Sequence, residues 1–144
     1  MRTIVLLWAW ALTALGVPAM AGSLAGTVQS TGLRDGAAAV VFIDQIPGKP
    51  FPAAADHARI DQRSMVFAPR VLPVLVGTTV DFLNSDALLH NVFSPDKCAE
   101  KFNLGTWPKG QSRSFTFKQP CAATLLCNVH PEMEAFVVAV PTPY

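Results

Sequence analysis

After its first 21 residues, the chain consists of short apolar or alternating runs interrupted every few residues by Gly, Pro, Asn or Asp. Such runs are typical of β-strands joined by turns. Residues 79–84 alternate most regularly, with Val80 and Phe82 on one face. No long segment has the period of an amphipathic helix. The sequence therefore predicts an all-β fold, and the number of runs fits a Greek-key β-sandwich of seven to eight strands.

The predicted strands are spread along the remaining chain, and the second of them is apolar enough to lie in the core. Residues 47–52 contain three prolines and are assigned to a loop, because proline lacks the N–H that a central strand needs. Residues 94–110 are mixed in character and carry no assigned strand. The assigned strands are residues 24–30, 37–46, 58–62, 66–68, 71–76, 79–84, 90–93, 114–118, 122–127 and 135–140.

An immunoglobulin-like sandwich is an alternative with a similar number of strands. It would have a Trp on a core strand that packs against a disulfide. Trp107 does lie between Cys98 and Cys121 in the sequence, but within a segment rich in Gly and Pro. That placement fits the immunoglobulin pattern poorly.

The first 21 residues have the features of a secretory signal peptide. Arg2 gives a positive start, residues 4–17 form an apolar run, and Ala19-Met20-Ala21 supplies a small-x-small cleavage site. The run is too short to span a membrane comfortably, and an uncleaved N-terminal anchor is the alternative. We expect residues 1–21 to be a signal peptide and residues 22–144 to be one periplasmic or otherwise exported domain, without membrane insertion after cleavage.

The charge of the chain is balanced. Eleven Lys and Arg face ten Asp and Glu, and loss of Arg2 with the signal peptide would make the two numbers equal. A nucleic-acid-binding domain is instead expected to carry a basic patch or stripe. We therefore expect no nucleic-acid partner, and we expect the mature chain to be a monomer.

Three cysteines are one too many for disulfides alone in an exported protein. Oxidising compartments favour pairing, and a disulfide between Cys98 and Cys121 would leave Cys127 free. Metal ligation would explain a free thiol in such a compartment. The alternative is that Cys127 is a buried, unreactive side chain.

Residues near Cys127 favour the metal-binding interpretation. A thiol, an imidazole and a thioether follow one another at Cys127, His130 and Met133, a spacing that one tight loop can turn toward a single point. Blue-copper electron-transfer sites use two His and one Cys in a plane, with a distant axial Met. His90 is the candidate for the second imidazole, and Pro131 would stiffen the loop by fixing its φ.

Other sites that use Cys and His fit this sequence less well. A structural zinc site usually has a second pair of Cys or His ligands and would leave Met133 without a role. A binuclear copper site would need a second Cys in the same loop. A Cys–His catalytic pair would need an orienting group, and the sequence shows no evident one.

Residues 84–93 together with residues 127–133 resemble the plastocyanin/amicyanin branch of the cupredoxins. Members of that branch have an Asn ahead of the first ligand, a His-Asn pair at that ligand and a Cys-x-x-His segment that ends in Met. The spacing from Cys127 to Met133 is similar to that of amicyanin and shorter than that of plastocyanin. The wider pattern over residues 71–140 also resembles small exported bacterial cupredoxins labelled methylamine utilization proteins.

This resemblance implies a site composition as well as a fold. It implies that His90, Cys127, His130 and Met133 bind one copper ion that cycles between the cuprous and cupric states. It also implies that Asn91 ties the ligand loops together while its backbone N–H points at the thiolate sulfur. Cys98 and Cys121 depart from plastocyanin, which lacks this pair.

The expected function is therefore transfer of single electrons between a transient redox-protein donor and acceptor, without enzymatic activity. The alternative is a periplasmic copper-storage or copper-delivery protein that uses the same ligands. A copper enzyme would need a second metal site with its own histidines. The chain has only three histidines, His57, His90 and His130, which makes a second site difficult to assemble.

Overall fold

The computed structural model describes residues 22–29 and 39–144, so the predicted signal peptide lies outside the described residues. Within this part of the chain no helix is long and apolar enough to cross a membrane. The described residues contain nine strands and one turn of 3-10 helix at Lys97–Ala99. The strands are β1 (Ala58–Arg63), β2 (Val66–Ala68), β3 (Val71–Leu75), β4 (Thr79–Asn84), β5 (His90–Phe93), β6 (Asn103–Trp107), β7 (Ser112–Thr116), β8 (Cys121–Leu126) and β9 (Glu134–Val140).

The described strands form two sheets that pack on one core. The first sheet has the order β2-β1-β4-β7 and the second has the order β3-β9-β8-β5-β6. Most neighbours are antiparallel, but β1 pairs in parallel with β4 and β3 pairs in parallel with β9. Side chains from both sheets share one buried cluster, with Ile60 and Phe82 from the first and Val92, Leu125 and Val137 from the second. The predicted all-β sandwich is confirmed.

In strand β4 the alternating sequence matches an alternating pattern of burial. Its residues alternate between half-buried and buried, and Val80, Phe82 and Asn84 are the buried ones. The ring of Phe82 lies 6.5 Å from that of Phe102, centroid to centroid. Because successive side chains of a strand point to opposite faces, the apolar pair at Val80 and Phe82 fixes which face of β4 packs on the core.

The two predicted N-terminal strands are wrong for the residues that the structure describes. Residues 24–29 and 39–46 contain no strand, and Val41 and Phe42 are 68% and 40% exposed; the rest of the two ranges lies outside the described residues. The second segment is held by the C-terminus, where the hydroxyl of Thr142 donates to the carbonyl of Ile43. The apolar composition of residues 37–46 was the basis of the prediction. A strand also needs a neighbouring strand that can pair with it.

Strand β6 was not expected, because it lies in the mixed segment at residues 94–110. It forms an edge of the second sheet and pairs with β5. In this pairing Trp107 lies opposite His90 in the backbone register. Gly105 has a φ of +74°, a conformation that glycine adopts without strain. Polar residues and a glycine are unusual in a strand, which explains why the pattern did not predict this one.

The structure joins Cys98 and Cys121 in a disulfide with a Cα–Cα distance of 5.4 Å. This bond attaches the 3-10 turn to the first residue of β8. Cys127 follows the last residue of the same strand and carries a free thiol. At a rise of about 3.3 Å per residue, the disulfide and the free thiol lie at opposite ends of β8.

Replacing Phe82 with Ala should destabilise the fold strongly, because the ring is fully buried in the shared core. We expect a loss of about 3–5 kcal/mol in the free energy of unfolding, measured by urea denaturation of the metal-free protein. Phe42→Ala is the matched control, since the same side chain there is 40% exposed and lies outside the sheets, and it should cost clearly less than Phe82→Ala. Equal losses for the two variants would contradict the assigned core.

Candidate metal centre

Two segments of the second sheet meet at the candidate centre. His90 is the first residue of β5, and Cys127, His130 and Met133 lie in the loop between β8 and β9. Strand β5 contacts β8 at the pair Phe93 and Leu126, immediately before Cys127. Because the two strands are antiparallel, the residues from Phe93 back to His90 extend past the end of β8, alongside the loop that begins at Cys127.

The loop after β8 closes on itself within one turn. The backbone N–H of Met133 donates to the carbonyl of His130 at 3.0 Å. Pro131, between them, restricts the backbone further through its fixed φ. This turn returns the chain to β9 and leaves His130 at the surface, while the Met133 side chain is buried in the core cluster.

The structure brings three of the four predicted ligands into direct proximity. The Nδ1 atoms of His90 and His130 are 3.1 Å apart, and the Sγ of Cys127 is 4.0 Å from the Nδ1 of His130. One ligand atom from each of these residues lies within 4.8 Å of the other two. Met133 is 1% exposed and belongs to the same turn.

The two imidazoles differ in their exposure to solvent. His90 is completely buried, and Cys127 is 3% exposed. His130 is only half-buried. Its ring centroid is 4.7 Å from that of His90. The group of ligands therefore has one side that reaches the protein surface, and His130 forms that side.

Asn91 links the two segments that carry the ligands. Its backbone N–H donates to the Sγ of Cys127 at 3.5 Å, and its side-chain oxygen accepts from the backbone N–H of Asn128 at 3.2 Å. Its amide nitrogen donates to the Oδ1 of Asn103 at 2.8 Å and to the carbonyl of Gly105 at 2.7 Å. One buried side chain thus connects β5, β6 and the loop after β8.

Asn84 holds the loop that leads to His90. Its side-chain nitrogen donates to the carbonyls of Leu88 and Trp107 at 2.8 and 2.9 Å, and its Oδ1 accepts from the backbone N–H of Asp86 at 2.9 Å. Asn84 is completely buried. These three bonds fix both the loop and the strand that pairs with His90.

Asp86 contacts the ring of His90 on the side away from the other ligands. Its Oδ2 lies 2.8 Å from the Nε2 of His90. An ionised carboxylate only accepts hydrogen bonds, so this nitrogen carries the hydrogen and the lone pair of a neutral ring is on Nδ1. That lone pair is on the atom that faces His130.

The pKa of Asp86 is lowered from its ordinary value. Burial raises the pKa, but hydrogen bonds from the backbone of Met65, the ring of His90 and the backbone of Ser64 outweigh that effect. The carboxyl group is therefore ionised at neutral pH. Sequence reasoning missed Asp86, because a loop carboxylate four residues before a His does not by itself indicate a contact.

The donor set fits copper. A thiolate and two imidazole nitrogens are ligands that copper favours, and the tautomer of His90 leaves the required nitrogen free. His57 takes no part in this group, because its Nδ1 lies 2.9 Å from the Oδ1 of Asp81 in the first sheet.

The fold and this site define a small β-sandwich protein with a copper-type set of ligands. The family model described as "Copper binding proteins, plastocyanin/azurin family" matches residues 54–140. The chain belongs to the plastocyanin/azurin family of copper-binding proteins, and copper is its cofactor. Among curated protein sequences, none matches the chain significantly.

Solved structures with the same fold include several cupredoxins. A reduced amicyanin variant is 30% identical, with a TM-score of 0.54, and the match covers 66% of this chain and 96% of that one. A purple cupredoxin from Nitrosopumilus maritimus is 25% identical, with a TM-score of 0.53, over 57% of this chain and 98% of that one. A copper-containing nitrite reductase from Thermus scotoductus shares the fold at 24% identity and a TM-score of 0.57, over 72% of this chain but 28% of that one. The predicted cupredoxin relationship is confirmed.

Replacing Asn91 with Ala should destabilise the metal-free protein, because it leaves the backbone groups of Gly105 and Asn128 without their partner. We expect a loss of about 1–3 kcal/mol in the free energy of unfolding, measured by chemical denaturation. Asn128→Ala is the control, since the Asn128 side chain is exposed and its backbone N–H remains. A loss in Asn91→Ala no larger than that in Asn128→Ala would contradict the linking role of Asn91.

Proposed function

We propose that this protein binds one copper ion at His90, Cys127, His130 and Met133 and transfers single electrons between redox proteins. The observation that carries the proposal is the convergence of a buried free thiol with the Nδ1 atoms of two imidazoles, one of them half-exposed. Bound copper would supply the one-electron chemistry by cycling between the cuprous and cupric states.

The roles of the protein groups follow from their positions. Cys127 provides the thiolate, and the N–H of Asn91 at 3.5 Å stabilises its negative charge. His90 is the buried imidazole, and its ring is held by Asp86. Met133 is proposed as the weak axial ligand, because a thioether suits that position and its buried side chain lies on the same turn as His130.

Electron exchange is proposed to occur through His130. Among the described residues, Leu88, Leu89 and Val129 are exposed and flank the ligand segments in sequence, with exposures of 48, 53 and 45%. An apolar rim around an exposed ligand would allow contact without strong charge pairing. Small interfaces of this kind are typical of transient redox encounters. Phe136 is half-buried in β9 and would therefore contribute little to a docking surface around His130.

The proposed role is that of an electron carrier and not of an enzyme. Within the residues that the structure describes, His90, Cys127 and His130 form the only group of three or more His, Cys, Asp or Glu side chains close enough to hold a metal. The similar amicyanin structures include a reduced and an oxidised state, which supports a one-electron role for this chain. We propose an exported location, with residues 1–21 acting as the signal peptide.

Adding cupric ion to the metal-free protein should produce an intense visible band from charge transfer between the Cys127 thiolate and copper. Cys127→Ser should abolish the band, because the thiolate is its source. The matched control is the double variant Cys98→Ser, Cys121→Ser, which removes the disulfide at the other end of β8 and should retain the band. Loss of the band in the double variant alone would show that the ligand assignment is wrong.

Electron transfer and copper delivery can be separated with a cuprous chelator. An electron carrier should show reversible one-electron voltammetry and should keep its copper through repeated reduction and oxidation in the presence of the chelator. This result is expected because Asn91, Asn84 and Asp86 hold the site through backbone and side-chain bonds. Transfer of cuprous ion to the chelator within one cycle would instead favour storage or delivery.

A further inference from the structure

The carboxylate of Asp86 joins the copper-binding histidine to a hairpin of the opposite sheet. Its Oδ1 accepts the backbone N–H of Ser64 at 2.7 Å. Its Oδ2 accepts both the backbone N–H of Met65 at 2.9 Å and the Nε2–H of His90 at 2.8 Å. Three donors therefore fix one side chain that is 16% exposed.

The conformation of the hairpin turn explains why it binds the carboxylate. Ser64 and Met65 connect β1 to β2, and both have positive φ values, 55° and 59°. Residues other than Gly, Asn or Asp adopt this region infrequently. The two consecutive N–H groups of the turn point to the same carboxylate, and successive N–H groups arranged in this way form an anion-binding concavity. The turn thus holds the carboxylate of Asp86 through both of its oxygens while Oδ2 also accepts from His90.

We propose that Asp86 is a positioning residue that sets the tautomer and orientation of His90 and lowers the reduction potential of the copper site. A carboxylate bonded to the far nitrogen of a metal-binding imidazole makes the near nitrogen a stronger donor. A stronger donor stabilises cupric more than cuprous copper. The inference rests on the proposed role of His90 as a copper ligand.

A neighbouring carboxylate provides a control for charge alone. The Oδ2 of Asp61 accepts from the hydroxyl of Ser85 at 2.9 Å and lies 3.2 Å from the guanidinium of Arg63. Ser85 is adjacent to Asp86 in the chain, yet the bonds of Asp61 go to Ser85 and Arg63 and not to His90. Asp61→Asn therefore removes a nearby negative charge while it leaves the bond to the imidazole intact.

Asp86→Asn keeps the size of the side chain but replaces one oxygen with an NH2 group. If that group faced the Nε2 of His90, it would donate to this nitrogen and move the hydrogen to Nδ1, the atom that copper needs. If it faced Ser64, two donors would oppose each other and the turn would release the side chain. In either orientation the contact that orients His90 is weakened.

The test compares the wild-type protein, Asp86→Asn and Asp61→Asn by cupric affinity and by the reduction potential of the copper-loaded protein. We expect Asp86→Asn to lose about 10–100-fold in cupric affinity. Each tenfold loss relative to cuprous affinity raises the potential by about 59 mV. Asp61→Asn should change neither quantity by a comparable amount. Equal shifts in the two variants, or no shift in Asp86→Asn, would overturn the proposal.

A measurement on the metal-free wild-type protein tests the proposal without copper. Nitrogen-15 NMR of the histidine rings should show His90 with its hydrogen on Nε2, and Asp86→Asn should change that signal, either because the hydrogen moves to Nδ1 or because the bond to the carboxylate is lost. A hydrogen on Nδ1 in the wild type would overturn the inference. Failure of the proposed function is distinguishable, because the wild-type protein would then form no visible thiolate–copper band.

Discussion

The side chain of Asn91 makes the contact on which the rest of the proposed copper site depends. The proposed ligands His90 and Cys127 lie in two segments 37 residues apart in the chain. Asn91 belongs to the first segment, and its side-chain oxygen accepts from the backbone N–H of Asn128 in the second. Each buried polar group that lost its partner would cost about 1–3 kcal/mol. Separation of the two segments would break several such bonds together, so these bonds keep the thiol of Cys127 near His90.

The two imidazoles proposed as copper ligands have different surroundings. His90 is completely buried and bonded to Asp86, so its ring is held on the side away from the metal. His130 is half-buried and lies on a turn closed by the bond from Met133 to its own carbonyl. A held ligand limits the change in shape between oxidation states, and an exposed ligand gives a partner access to the metal. Both properties favour fast one-electron exchange.

The sequence predicted the parts of this structure in which local pattern and tertiary environment agree. Residues 79–84 alternate because one face of β4 packs on the core, and the close spacing of Cys127, His130 and Met133 reflects one turn of the chain. Residues 37–46 were predicted to form a strand because they are apolar, but the described residues 39–46 contain none, because pairing depends on a neighbour that a local pattern does not reveal. Strand β6 was not predicted because its glycine, Gly105, is unusual in a strand. Its neighbour β5 nevertheless pairs with it, which the local sequence does not reveal.

The contact between Asp86 and His90 could not be predicted from local sequence either. It requires the loop fixed by Asn84 and the turn at Ser64 and Met65, which lies more than 20 residues earlier in the chain. Separate segments must fold before the carboxylate reaches the ring. The candidate Cys, His and Met ligands could be predicted from the sequence because their chemistry is distinctive. The groups that orient them are ordinary Asn and Asp side chains, which do not stand out in the sequence.

Copper K-edge X-ray absorption of the wild-type protein in both oxidation states tests the central claim most directly. The account predicts one short sulfur neighbour from Cys127 and two nitrogen neighbours from His90 and His130 in the cupric form, and the same three neighbours after reduction. Loss of a nitrogen neighbour on reduction, or a site without the short sulfur contact, would contradict a held one-electron copper centre.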